Sequence, residues 1–133
     1  MKNLDEGRIK IFDSPEEYAD AFAWGLVSLA ERTIAKLGRF SLALTGGNTP
    51  RALYARLAQP DVRAAVDWSR VQIFFGDERT VGPDHPDSNY GMAWQQWLSR
   101  SDIAPESIWR MAGEDDEPMA AAEEYEYAMT RHL

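Results

Sequence analysis

The sequence predicts an α/β domain built on a mainly parallel β-sheet. Short β-rich runs alternate with longer segments of helical periodicity along the 133 residues. One run, 71–75, is almost continuously apolar, which is typical of a strand covered by helices on both faces. Two glycine-marked polar loops, 45–50 and 76–89, each follow a predicted strand. Parallel strands end at a common edge, where such sheets bind ligands, so we expect the two loops to lie side by side.

The first predicted elements are a short strand over 8–12 and a long helix after it. Ser14 is placed to be the helix N-cap, with Pro15 as the first helical residue and Glu17 as the capping-box partner. Gly38 is placed to end the helix. Steps of three and four residues predict one apolar face, made of Tyr18, Phe22, Leu26, Leu29, Thr33 and Leu37.

The middle of the chain predicts two more strands with a helix between them. A strand over 40–45 is broken by two glycines, and Thr49 then caps a helix that has Pro50 at its first position. A third strand spans 68–75. The connecting helix is expected to bury Leu53, Tyr54 and Leu57.

Two helices and a short strand over 107–111 complete the pattern. Asp87 or Ser88 caps the first helix, and Asp115 or Asp116 caps the last, which runs to about residue 131. The expected apolar faces are Tyr90, Trp94, Trp97 and Leu98 on the first, and Ala122, Tyr125 and Met129 on the second.

Composition narrows the class of protein. Apolar residues make up 44% of the chain, which is enough for the core of a single domain over 1–133, and the absence of cysteine excludes disulfides and thiolate sites. The net charge of −8 lies mostly in 114–133, which holds seven acids and one arginine. With no basic stripe and no long apolar stretch, we expect no nucleic-acid partner and no membrane span. The beginning of the sequence has no apolar leader, which favours a cytoplasmic protein.

The loop Thr45-Gly46-Gly47-Asn48-Thr49 joins a buried strand to a helix N-terminus. Glycines allow a ligand to approach the main chain closely, and free N–H groups at a helix start attract a phosphate or carboxylate. Asn48 and Thr49 add side-chain donors. The same residues are equally consistent with a tight turn and a capped helix. The loop lacks the GxGxxG spacing of a dinucleotide motif, and no lysine follows it as in a nucleoside-triphosphate motif.

Charged residues follow the apolar strand directly, as Asp77-Glu78-Arg79. Arg79 offers a planar fork of donors for a phosphate or a carbonyl oxygen, and Asp77 could orient it, hold a hydroxyl or act as a base. The alternative is a structural ion pair of Arg79 with either acid. In the following segment, His85 and Asp87 are placed either as an acid–base pair or as turn and cap residues. His85 and His132 show no metal-ligand spacing, so no metal is expected.

Three motifs in order carry a resemblance to a known family: TGGNTP, FFGDERTV and HPDSNYGMA. Together they resemble 6-phosphogluconolactonases over essentially the whole chain. The resemblance implies a Rossmann-like three-layer fold, no cofactor, and hydrolysis of 6-phospho-D-glucono-1,5-lactone to 6-phosphogluconate. It implies Arg79 and Asp77 as catalytic residues. The implied substrate-binding residues are Thr45, Gly46, Gly47, Asn48, Thr49, Arg79, His85, Asp87 and Asn89.

One departure from the family concerns its length. Members of the family are nearly twice as long, and a GxDGHTASLFP-like motif in their second half carries the histidine taken to be the general base. Neither His85 nor His132 matches that position. The chain is therefore expected to be the N-terminal portion of a longer domain, with little activity of its own. Two alternatives are a glucosamine-6-phosphate deaminase-like enzyme, whose relatives carry DEY in place of Asp77-Glu78-Arg79, and a non-catalytic sugar-phosphate-binding fragment.

Overall fold

A computed structural model describes residues 9–133. Its sheet pairs β1 (Phe40–Leu44) with β2 (Val71–Phe75) in parallel, with Leu44 opposite Phe75. The predicted parallel sheet is therefore confirmed. The predicted strand over 107–111 is reduced to one parallel bridge between Ile108 and Ile73, where the Trp109 N–H donates to the Ile73 carbonyl at 2.8 Å.

Helices lie on both faces of this sheet, so the fold has three layers. On one face α1, α2 and α4 enclose the main core, and α5 covers part of the other face near Phe74 and Phe75. The helices are α1 (Pro15–Leu37), α2 (Asn48–Leu57), the short α3 (Pro60–Arg63), α4 (Asn89–Gln96) and α5 (Pro118–His132). Among residues 9–133 no helix is long and apolar enough to cross a membrane.

The ends of α1 follow the sequence closely. The Glu17 N–H donates to Ser14 Oγ at 3.2 Å, and Gly38 adopts φ +78° while its N–H donates to the Ile34 carbonyl at 2.7 Å. The Glu17 carboxylate accepts from the Asp13 N–H, one residue earlier than a capping box requires. The predicted strand over 8–12 is wrong for residues 9–12, which form no strand, and Arg8 lies outside the described residues.

The predicted core face of α1 is largely wrong. Phe22 and Leu29 are nearly half exposed and Leu37 is exposed. The side chains that are buried belong to Ala19, Ala23, Leu26, Val27 and Ala30. Helix α1 packs against α2, and the small alanines on its buried face allow the two helices to approach closely.

Aromatic side chains fill the centre of the core. Trp97 stacks on Tyr54 at a centroid distance of 6.0 Å and meets Trp68 edge to face at 5.4 Å. The predicted apolar face of α2 is confirmed, since Leu53, Tyr54 and Leu57 are buried. Of the apolar face predicted for α4, Trp97 and Leu98 are buried but lie just after the helix ends at Gln96. Trp94, within α4, is more exposed. In α5, Tyr125 is buried and Ala122 is exposed.

Two predicted helix caps are wrong. Gly47 occupies the N-cap of α2 without any side-chain bond, so Thr49 lies inside the helix. Glu117 is the N-cap residue of α5, and Asp115 accepts a hydrogen bond from the Glu117 N–H without capping the helix itself. In both cases the helix starts one or two residues away from the position that the best capping side chain would have chosen.

Gly25 in the interior of α1 is expected to limit stability. An alanine Cβ there would meet nothing within 4 Å. Because glycine in a helix interior costs about 0.5–1 kcal/mol relative to alanine, Gly25→Ala should raise the free energy of unfolding by that amount in urea titrations. Gly38→Ala is the matched control of opposite sign, because its φ of +78° strains a side chain. A loss of stability in Gly25→Ala would contradict the open environment.

Candidate active site

The two polar loops begin next to each other at the carboxyl edge of the sheet. Leu44 and Phe75 are register partners, and the Gly76 N–H donates to the Leu44 carbonyl at 2.9 Å. The expectation that both loops share one edge is confirmed. Side chains of 45–49 and 76–89 are therefore available to a single ligand.

Asn89 joins the two loops. Its Nδ2 donates to Asp77 Oδ1 at 3.2 Å and lies 3.3 Å from the Asp77 carbonyl oxygen. Its Oδ1 rests against Gly46 so closely that a Cβ on Gly46 would lie 2.0 Å from it. Asn89 is 5% exposed, so this contact is part of the interior. Gly46 is required here for close approach, and Asp77 is held by the residue that touches the glycine loop.

Glu78 organises the second loop. Its carboxylate accepts hydrogen bonds from the Arg79, Asn89 and Tyr90 backbone N–H groups at 2.8, 2.7 and 2.9 Å. It also accepts from Ser88 Oγ at 3.2 Å. Two of these donors are the first N–H groups of α4, which have no partner inside the helix. One carboxylate thus caps α4 and fixes the backbone that carries Arg79.

Arg79 is exposed, and its guanidinium enters no ion pair among residues 9–133. The predicted alternative of a structural pair with Asp77 or Glu78 is not formed. Arg79 lines a cavity of about 230 Å³ together with Thr80, Met111, Gly113 and Tyr125. An exposed arginine on a fixed backbone at a cavity is available to bind an anion.

Gly113 packs against the backbone of the Arg79 loop. A Cβ at this position would lie 2.1 Å from the Arg79 carbonyl oxygen and 2.7 Å from that of Val81. Only glycine allows 111–115 to pack this tightly on 79–81. The packing of the Arg79 loop therefore depends on a residue more than thirty positions away.

Tyrosine hydroxyls terminate both strands in the same way. Tyr54 Oη accepts from the Thr45 N–H at 3.1 Å and donates to the Thr45 carbonyl at 2.8 Å. Tyr125 Oη accepts from the Phe75 N–H at 2.7 Å and donates to the Phe75 carbonyl at 2.9 Å. Burial raises the pKa of both tyrosines, so each hydroxyl keeps its proton. These bonds hold the roots of the two loops.

The start of α2 offers free donors. Gly47 takes φ +105°, and no side chain within the described part of the sequence caps the helix. Thr45, Asn48 and Thr49 are exposed beside it. Uncapped N–H groups carry partial positive charge, so this helix start is chemically suited to an anion.

Comparison with known proteins places this geometry in a family. The model of the glucosamine-6-phosphate isomerases/6-phosphogluconolactonase family matches residues 13–133. The chain belongs to that family. It is 41% identical over 101 residues to a 6-phosphogluconolactonase of Nostoc, covering 76% of this chain and 40% of the relative.

Solved structures agree with the family assignment. The 6-phosphogluconolactonase of Trypanosoma brucei superposes with a TM-score of 0.81 at 28% identity, covering 93% of this chain and 50% of that one. A monomeric glucosamine-6-phosphate deaminase superposes with a TM-score of 0.76 at 20% identity, and this likeness shows the fold alone. The chain spans about half the length of the family members it matches.

His85 and Asp87 lie in an exposed turn before α4. The Asp87 N–H donates to His85 Nδ1 at 3.1 Å, and the Asp87 carboxylate lies 3.9 Å from the same nitrogen. Backbone bonds from His85 to Gly82 and from Ser88 to His85 close the turn. Ser88 is the N-cap of α4, as predicted, and accepts from the Gly91 N–H at 2.9 Å. Unlike Asn89, the pair makes no hydrogen bond to Asp77 or to the glycine loop among the described residues.

Several residues of the site escaped the sequence analysis of this family member. The sequence predicts Glu78 only as an ion-pair partner for Arg79, whereas its carboxylate accepts hydrogen bonds from residues ten to twelve positions ahead. It predicts Tyr54 and Tyr125 as core residues and gives no signal for Gly113. No local pattern reveals such contacts, although the acidic residue between a strand and a distant helix start is a usable signal for a cap.

Gly113→Ala is expected to displace the Arg79 loop. The added methyl group meets two backbone carbonyls, which cannot rotate away, so the free energy of unfolding should fall by about 1–3 kcal/mol. Gly82→Ala is the matched control, since its Cβ would meet only Glu114 Cβ at 3.9 Å. Thermal unfolding followed by calorimetry measures both. Equal stability of the two variants would show that the loop does not rest on Gly113.

Proposed function

We propose that this chain is the N-terminal, substrate-binding portion of a longer 6-phosphogluconolactonase domain. The reaction is hydrolysis of 6-phospho-D-glucono-1,5-lactone to 6-phosphogluconate. The observation that carries the proposal is the contact of Asn89 with both Gly46 and Asp77, which joins the glycine loop to the arginine loop. The family match supports it, as does the absence of any ion pair of Arg79 among residues 9–133.

The proposed substrate carries a phosphate dianion at one end and an ester carbonyl at the other. The uncapped start of α2 and the Arg79 guanidinium are two separate anion-binding elements for these oxygens. Thr45, Asn48, Thr49 and Asn89 provide hydrogen bonds for the sugar hydroxyls, and His85 and Asp87 form the rim.

In the proposed reaction a general base removes a proton from water, and the hydroxide adds to the lactone carbonyl carbon. The resulting oxyanion collapses, the ring C–O bond breaks, and the ring oxygen takes the proton held by the base and leaves as a hydroxyl. Arg79 stabilises negative charge in the transition state, and Asp77, held by Asn89, orients the substrate. The family resemblance assigns the general base to a histidine in the second half of the family members, which this chain does not cover.

Calorimetric titration of the chain tests this proposal. We expect 6-phosphogluconate to bind and gluconate, which lacks the phosphate, to bind at least about tenfold weaker, because the phosphate bonds are charge-assisted. Lactone hydrolysis by the chain should stay near the spontaneous rate. Equal binding of the two ligands would overturn the proposed phosphate site.

Two further outcomes distinguish the alternatives. Ammonia release from glucosamine 6-phosphate, measured in a coupled assay, would favour a deaminase. Lactone turnover approaching that of the Nostoc relative would place the general base within these 133 residues and exclude a binding fragment.

A further inference from the structure

Arg110 lies where the chain leaves the sheet beside the second polar loop. The Trp109 N–H donates to the Ile73 carbonyl at 2.8 Å, so Arg110 comes directly after the bridge to β2. Both terminal nitrogens of its guanidinium donate to the Glu114 carboxylate, with Nη1 at 2.9 Å from Oε2. A bidentate pair of this kind fixes the orientation of both partners. The Arg110 side chain thus closes the 110–114 turn.

The 110–114 turn supports the Arg79 loop from one side. Gly113 packs against the Arg79 carbonyl oxygen so closely that a Cβ on the glycine would lie 2.1 Å from it. Further along the loop, a Cβ on Gly82 would lie 3.9 Å from Glu114 Cβ. The turn that Arg110 closes therefore contacts the loop at more than one point.

The same guanidinium lies over the start of α4. Arg110 Cζ is 5.8 Å from the centroid of the Tyr90 ring, a distance at which the face of the ring attracts a cation. The Tyr90 N–H donates to Glu78, the carboxylate that also accepts from the Arg79 N–H. Arg110 therefore contacts both structures that hold the Arg79 loop, the 110–114 turn on one side and the start of α4 on the other.

The pair of Arg110 with Glu114 is charged and partly shielded from water. The hydrogen bond from Arg110 lowers the pKa of Glu114 to about 2, and the same bond raises the pKa of Arg110, to which the charge of Glu78 adds. Both groups are therefore charged near neutral pH. Their side chains are 31% and 41% exposed, whereas those of the Arg63–Asp102 pair are 45% and 60% exposed. The less exposed pair is screened less by solvent, so it holds its partners more firmly.

We propose that Arg110 is a positioning residue of the substrate site, which holds the Arg79 loop in place by joining the 110–114 turn to the start of α4. Arg79 binds the anion, and Arg110, whose terminal nitrogens bind Glu114, acts on the ligand through Arg79. A loop that is already ordered loses less conformational freedom on binding, so the affinity is higher. This inference rests on the proposed function, and its test includes a measurement on the loop without ligand.

Calorimetric titration with 6-phosphogluconate tests the proposal. Arg110→Ala should weaken binding by about three- to tenfold, because the ligand must then order the loop. Arg110→Lys keeps a cation for Glu114 and the Tyr90 ring, so it should recover part of the affinity. Arg63→Ala is the matched control, since it also removes a bidentate pair, here with Asp102, and should bind like the parent chain.

A double-mutant cycle with Arg79 separates positioning from a general structural role. In an Arg79→Ala background, Arg110→Ala should cause no further loss of affinity, because the residue through which Arg110 acts is absent. A merely structural contribution would weaken binding by the same factor in both backgrounds, and this result would overturn the proposal.

Amide hydrogen exchange of the chain without ligand is the second measurement. The Arg79 and Val81 N–H groups are both hydrogen-bonded, and their exchange should accelerate about tenfold in Arg110→Ala and stay unchanged in Arg63→Ala. Glu114→Gln breaks the same ion pair without truncating Arg110 and should act in the same direction. Circular dichroism checks the fold of each variant.

The two measurements also separate this inference from the proposed function. A parent chain that fails to bind 6-phosphogluconate would contradict the proposed function, while the exchange rates would still decide the role of Arg110. If exchange at Arg79 and Val81 is unchanged in both Arg110→Ala and Glu114→Gln, Arg110 does not position the loop.

Discussion

Arg79→Ala should weaken the binding of 6-phosphogluconate by roughly 10- to 100-fold, since a hydrogen bond to a charged group contributes about 1.5–3 kcal/mol. The guanidinium is exposed and enters no ion pair among the described residues, so its removal should leave the melting temperature within about a degree. In a longer form of the protein that hydrolyses the lactone, the same change should collapse turnover. Titration calorimetry and an assay of lactone hydrolysis measure the two effects.

The comparison variants for Arg79 separate charge from shape. Arg79→Lys keeps the charge but loses the planar fork, so it should recover only part of the affinity. Arg32→Ala removes another exposed arginine, one that lies on α1, and should bind normally. If all three variants bound 6-phosphogluconate alike, Arg79 would have no role in holding the ligand.

Glu78→Ala should lower the free energy of unfolding by about 2–3 kcal/mol. Four donors lose their acceptor, and two of them are N–H groups at the start of α4. Hydrogen exchange of the Asn89 and Tyr90 amides should accelerate, because these protons are held by the carboxylate alone. Urea titration and amide exchange followed by NMR measure the change.

Two related variants define what the Glu78 carboxylate contributes. Glu78→Gln keeps the shape but turns an NH₂ group towards backbone donors, so it should recover only part of the stability. Asp84→Ala removes an exposed acid of the same loop and should change stability by less than about 0.5 kcal/mol. Unchanged amide exchange in Glu78→Ala would contradict the role of Glu78 as the cap of α4.

The sequence predicted the ends of helices correctly where a single residue can satisfy the free groups of the helix end by itself. Ser14 and Gly38 mark the two ends of α1 as expected, and Ser88 is the N-cap residue of α4. A short hydroxyl side chain and a left-handed glycine satisfy the free N–H and C=O groups of helix ends locally. Thr49 failed as a cap because Gly47 adopts a conformation closed to other residues and starts the helix earlier. Such competition between neighbouring caps is decided by the loop as a whole.

The burial of α1 illustrates a different limit. The apolar residues of α1 cover a broad arc of the helix surface, so more than one core face is possible. Periodicity favours the face that carries the larger side chains. The folded chain instead buries Ala19, Ala23 and Ala30 against its neighbours and leaves Phe22 and Leu29 nearly half exposed. Which stripe is buried depends on the elements that pack against α1, and these elements are distant from it in the sequence.

The sequence by itself determined the alternation of strands and helices, the parallel sheet and the common edge of the two polar loops, because periodicity and strand direction are local or topological properties. It also identified Arg79 and the glycine loop as residues suited to an anion. Tertiary structure alone decided that Glu78 caps α4, that Asn89 bridges Gly46 and Asp77, and that Gly113 carries the Arg79 loop. Each of these contacts joins residues ten or more positions apart in the sequence, so only the packing of the folded chain brings the partners together.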